Sequence, residues 1–136
     1  MTIASQTALL VAAIGNIGPA TKDTFFAKKG GELVGPVWTK PFPVAFSATP
    51  VFDATKSNVF YFATLGATAV TASSFIGGTD GQTINVRILQ DAVGGRAFPL
   101  PGNVVAKGAL DTAPDAVNWL VLTWNVGATR WEAIWS

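Results

Sequence analysis

Two runs of sequence constrain this chain more than anything else in it. Residues 58–65 read Asn-Val-Phe-Tyr-Phe-Ala-Thr-Leu, and residues 116–125 read Ala-Val-Asn-Trp-Leu-Val-Leu-Thr-Trp-Asn. Both are rich in aromatic and β-branched residues, which favour strands. Successive side chains of a strand point to opposite faces. In the first run Val59, Tyr61 and Leu65 oppose Phe60 and Phe62; in the second Val117, Trp119 and Val121 oppose Leu120, Leu122 and Trp124. A strand that is apolar on both faces calls for cover on both sides. Neither run shows a helical period, and turn signals recur about every eight to twelve residues, the spacing of an all-β sandwich or jelly roll.

The remaining strand signals are weaker. Val37 to Phe46 carries Trp38, Phe42 and Phe46, but Pro41 and Pro43 restrict it to an edge strand or an extended connector. Val51-Phe52-Asp53 is a short strand, Ala67 to Ser73 a weak one, and Ser74 to Asp80 reads as a loop. Thr83 to Ile88 alternates Ile84, Val86 and Ile88 against Thr83, Asn85 and Arg87. Gln90-Asp91-Ala92-Val93-Gly94-Gly95 then turns the chain, and Arg96-Ala97-Phe98 is expected to return as the second arm of a hairpin that Pro99 and Pro101 end. Asn103 to Ala106 is short. Thr129 to Trp135 sets Trp131, Ala133 and Trp135 against Arg130, Glu132 and Ile134.

Residues 1–36 differ from the rest of the chain. Ala4 to Ile14 is a short helix or a strand, since periodicity does not separate the two at this length. Gly15, Gly18-Pro19, Gly30-Gly31 and Gly35-Pro36 break up the remainder around Phe25 and Phe26. The expected organisation is an extended N-terminal arm over residues 1–36, for attachment or subunit exchange, and one β-sandwich or jelly-roll-like oligomerisation domain over residues 37–136. The arm either packs on its own domain or reaches a neighbouring subunit or partner. Its contact residues would be Ile3, Leu9, Leu10, Val11, Ile14, Phe25 and Phe26.

Composition narrows the function. Hydrophobic residues make up 49% of the chain and charged ones 12%, about half the share of an average soluble domain. So neutral a surface is usually covered by other subunits or by a larger assembly. Nine basic residues balance eight acidic ones, and no basic run exceeds Lys28-Lys29, which leaves no footprint for nucleic acid. There is no cysteine and no histidine, so thiolate chemistry and the commonest general base and zinc ligand are missing. The run at 8–14 is too short for a bilayer, which takes about 20 apolar residues. No Lys or Arg precedes it, as a signal peptide would require, so synthesis in the cytoplasm without a leader is expected.

Several residues invite a chemical role and are better explained otherwise. Asp80, Asp91, Asp111 and Asp115 lie in turns, and their spacing lacks the oxygen-rich register of a calcium loop. Two Glu and six scattered Asp select no carboxylate pair for glycan hydrolysis. Gly77-Gly78 and Gly94-Gly95 precede no helix that would hold a phosphate. The five Trp residues are expected in the core and subunit seams, with a sugar-stacking platform as the alternative. No enzymatic activity, metal or other cofactor is expected.

From about Val51 to Trp135 the chain resembles the small β-domains of minor virion proteins of tailed bacteriophages: tail fibres, head fibres and capsid decoration proteins. The resemblance rests on Asp53 and Asn58-Val59-Phe60 before a strand ending Thr64-Leu65, and on the Gly81-Gln82-Thr83-Ile84 opening. It rests further on the Gln90-Asp91-Ala92-Val93-Gly94-Gly95-Arg96 turn followed by Phe98-Pro99, and on the closing Arg130-Trp131-Glu132. The turn, with Gln90, Asp91, Gly94, Gly95 and Arg96, is the most specific of these features. The resemblance implies a homotrimer whose strands share a core, with Phe60, Phe62, Trp119, Leu120, Leu122 and Trp124 at the subunit interface. It implies a virion location, on the capsid surface or tail. A short arm in place of a long shaft favours a decoration (cement) protein or short head spike that bridges capsomers, with the major capsid protein as partner. The alternative is a tail-fibre or head-fibre domain that binds a host surface glycan. A third reading, a cellular lectin-like or adhesin subunit, sits poorly with the missing secretion signal.

Overall fold

The computed structural model describes residues 39–136. The arm residues named above, and the expected boundary at residue 36, lie outside the described residues. Within them the chain is all-β, with eight strands. These are β1 (Phe42–Val44), β2 (Val51–Asp53), β3 (Val59–Phe62), β4 (Ser74–Ile76), β5 (Thr83–Leu89), β6 (Val104–Lys107), β7 (Val117–Asn125) and β8 (Arg130–Trp135). Six form one sheet in the order β1-β3-β5-β7-β8-β6, and β2 and β4 form a second, smaller sheet.

The connectivity differs from a jelly roll. A jelly roll is antiparallel, whereas β1–β3, β3–β5, β2–β4 and β6–β8 all pair in parallel. Through β5 the chain alternates between the two sheets, laying each new strand beside the one before the last. This is a short parallel coil, a β-solenoid. Only β5–β7 and β7–β8 are antiparallel. The turn signals are where the sequence places them, but most carry the chain to the other layer instead of reversing it within one sheet.

Two local expectations change accordingly. Residues 96–98 form no return strand; β5 is enclosed by β3 on one side and β7 on the other. Ala67 to Ser73 is not a strand, and the expected loop after it begins with β4. The backbone N–H groups of Thr71 and Ala72 and the Thr71 hydroxyl all donate to the Ala48 carbonyl, so this segment crosses its neighbour without forming a ladder. Ser74 to Ile76 then falls into register with Val51 to Asp53.

The core lies between the sheets. Phe60 and Phe62 of β3, Ile84, Val86 and Ile88 of β5, Leu120 and Leu122 of β7, and Trp131 of β8 point inward and are buried. Phe52 of β2 closes over them. Its ring stacks on Phe75 of β4 at 5.0 Å, and meets Phe60, Phe62 and Phe98 at 5.8, 5.9 and 6.1 Å. Trp131 donates its indole N–H to the Phe75 carbonyl at 3.3 Å, which ties the two layers together. Gly78 is where the chain passes closest to this point: a Cβ there would come within 2.7 Å of Trp131 and 2.8 Å of Trp124.

Candidate functional site: the outward face of the six-stranded sheet

The alternation that buries one side of the large sheet presents the other. On the outward side Tyr61, Arg87 and Trp119 are neighbours across β3, β5 and β7. The next row runs Val59, Asn85, Val121, Ile134 and Lys107, and the one beyond runs Thr83, Thr123, Glu132 and Val105. Much of this face is apolar. Val117, Ile134 and Val105 are 58%, 57% and 50% exposed, while Tyr61, Trp119 and Val121 are half-buried among their neighbours.

Arg87 is at the centre. Its guanidinium carbon stands 3.7 Å from the Tyr61 ring centroid, a stacked cation–π arrangement. The Tyr61 and Trp119 rings meet edge-on, 6.0 Å apart at 73°. Toward β8 and β6 the face turns polar. The Thr83 and Thr123 hydroxyls share a hydrogen bond of 2.9 Å. Glu132 accepts from Arg130 at 3.1 Å and from the Asn125 amide at 3.2 Å. A shallow groove of about 560 Å³ lies there, lined by Val105, Lys107, Thr123, Arg130, Glu132 and Ile134 among others.

The turn after β5 is a structural clasp. Gln90 is buried, and its side chain copies a strand neighbour: its amide donates to the Arg96 carbonyl at 2.8 Å, and its oxygen accepts the Arg96 N–H at 3.0 Å. Asp91 accepts from the Val93 and Gly94 N–H groups and holds the Arg96 guanidinium through both carboxylate oxygens. The Arg96 hydrogen bonds, chiefly, and the two backbone N–H groups hold the Asp91 carboxyl below the usual carboxylate range against a smaller opposing effect of burial. Asn118, buried on β7, makes the matching pair of bonds to the Asp111 backbone. The two loops meet where Gly95 donates to the Thr112 carbonyl at 2.7 Å and Asp115 to the Asp91 carbonyl at 2.9 Å. Gly94 sits at φ 71°, and a Cβ there would lie 2.5 Å from the Thr112 oxygen, so the contact admits no side chain.

Of the expected interface residues, Trp119 alone is on the outward face. Phe60, Phe62, Leu120 and Leu122 are buried in the chain's own core, and Trp124 packs half-buried against Trp131 at 5.2 Å. The outward residues of the same strands are Val59, Tyr61, Trp119 and Val121. Sequence reasoning did not single out Arg87, because a lone Arg in an alternating strand reads as solvated. Only the register shows it between Tyr61 and Trp119.

Among the described residues no group of three or more acidic, His or Cys side chains is placed to hold a metal ion, and no helix is long and apolar enough to cross a membrane. Comparison of the chain with protein-family models, with curated proteins and with solved structures returned no match.

Proposed function

We propose that this chain is a structural, self-associating protein of a tailed-phage virion: a capsid decoration protein or short head spike that bridges capsomers. The observation that carries the self-association is the outward face of the large sheet. It sets Val59, Tyr61, Trp119, Val121 and Ile134 side by side on a chain with few charges to keep copies apart. Strand spacing gives this face a flat footprint on the order of 500 Å². That is more than half of the roughly 800 Å² per partner in a standard stable interface. The virion assignment rests on the resemblance over residues 51–135, of which the interlocked Gln90–Arg96 turn is the most specific part. Three copies are the stoichiometry that the resemblance implies, with the major capsid protein as the further partner.

The test is the copy number of this chain in purified particles relative to the major capsid protein, by quantitative mass spectrometry. Hundreds of copies fit decoration of the shell. A few dozen or fewer fit a fibre or vertex spike, and absence from particles removes the virion reading. The fibre reading, with a host surface glycan as ligand, draws on the groove beside Lys107, Thr123 and Glu132, where polar side chains border an apolar floor. Substitution of Lys107 and Thr123 that leaves cell adsorption unchanged removes its support.

A further inference from the structure

Among the described residues Arg87 has no anionic partner. Its Nε is shut off from solvent and has no hydrogen-bond partner, so an incoming anion meets the terminal N–H groups of the guanidinium and not the Nε. The ion pairs among the described residues join Lys56 to Asp53, Arg96 to Asp91 and Arg130 to Glu132, and none includes Arg87. A cation stacked on an aromatic ring in mostly apolar surroundings interacts strongly with an anion, because little water screens it. Its planar fork matches a carboxylate.

A sugar acid fits this point poorly. The Tyr61 ring face is already covered by the guanidinium, so the aromatic ring nearest the cation is not free to stack on a sugar. A flat protein surface fits it well. Arg, Tyr and Trp gathered at the centre of a face are the residue types that dominate protein interfaces.

The complementary group is on the same face. Glu132 points outward two strands away, beyond β7, and four residues further along, about 16 Å from Arg87 by strand spacing. That gap keeps the two apart within one chain. The Glu132 side chain is half exposed, and its contact with Arg130 is an exposed pair along one strand, a weak kind of interaction that a second cation can share.

We propose that Arg87 of one copy is closed by Glu132 of a second copy. The inference rests on the self-association reading above and names its polar contact. Val121 lies midway between the two positions, on β7 and in the intervening row. A two-fold axis through Val121 therefore satisfies both pairs at once, and a closed ring satisfies one at each junction.

The test is a charge exchange read by sedimentation equilibrium across a concentration series, with thermal melts to verify folding. Arg87→Glu and Glu132→Arg each weaken association about tenfold or more, and the double exchange restores it to within about threefold of the parent. If Arg87→Glu lowers the melting temperature, Arg87→Gln, which keeps a planar group without the charge, takes its place in the single-variant arm. Folded single variants that associate as tightly as the parent overturn the proposal, as does a double exchange that restores nothing. A parent chain that stays monomeric throughout is a different failure, because it removes the self-association reading itself.

Discussion

The two faces of the six-stranded sheet are built from the same strands and behave as different materials. On β5, Ile84, Val86 and Ile88 are sealed under the second layer, while Thr83, Asn85 and Arg87 one residue away form part of the outward face. On β7, Leu120 and Leu122 are fully covered and Trp119 and Val121 only half so. On β3 and β7 hydrophobicity alone does not distinguish the faces, since both carry aromatic and aliphatic residues. What separates them is the crossing of the chain into a second layer at β2 and β4, which covers one side. The lesson is that a strand apolar on both faces marks two demands for cover, and the domain's own fold meets one of them.

The contrast can be broken most forcefully from inside. Phe52→Ala removes the ring that joins Phe60, Phe62, Phe75 and Phe98, and is expected to cost about 3–5 kcal/mol in denaturant unfolding. Gln90→Leu keeps the bulk but strands the Arg96 N–H and carbonyl at a buried site, for an expected loss of about 1–3 kcal/mol in the same measurement. On the outward face Val121→Lys is expected to change the stability of the isolated chain by less than about 1 kcal/mol. Its effect appears in the molecular mass in solution, which falls toward that of the monomer. A large stability loss with unchanged mass would reverse the comparison.

The smallest effect is a pH dependence at the clasp. Asp91 is held below its ordinary value by Arg96 and two backbone N–H groups. A depressed carboxyl contributes stability that is full above the unfolded value, near 4, and is lost as pH falls through the lower folded value. Asp53, lowered mainly by the Thr55 hydroxyl, acts in the same direction. Asp91→Asn is therefore expected to flatten the acid limb of the stability profile below about pH 4 and to leave Val121→Lys assembly behaviour untouched.

The longer strands were readable: burial on one side writes a period of two into Thr83–Leu89 and Arg130–Trp135, and aromatic and β-branched content marks Val117–Asn125, whereas the short β4 and the strandless residues 67–73 and 96–98 were not. Strand partners were not. Parallel neighbours such as Val59 and Asn85 leave no local mark, and the Gly94-Gly95 turn is as suited to joining layers as to reversing a hairpin. The inner and outer roles of residues on one strand were likewise invisible: Phe60 and Tyr61 differ in burial through the placement of Phe52, not through their own chemistry. The apolar outward face was legible as doubled hydrophobicity, whereas the Tyr61–Arg87–Trp119 cluster needed three strands in register.

The pairing order has a consequence for how the protein is made. β5, at the middle of the sheet, is flanked by β3 from earlier in the chain and by β7 from later, while β6 reaches the sheet only through β8. Among the described residues the one local hairpin is β7–β8. Distant partners close slowly, because the intervening chain must be ordered first. A nascent chain halted before residue 117 therefore holds β5 with one bare edge and β6 with no neighbour, and is expected to be cut readily by protease. Once β7 and β8 through Trp135 are free to pair, the chain should convert abruptly to a resistant form.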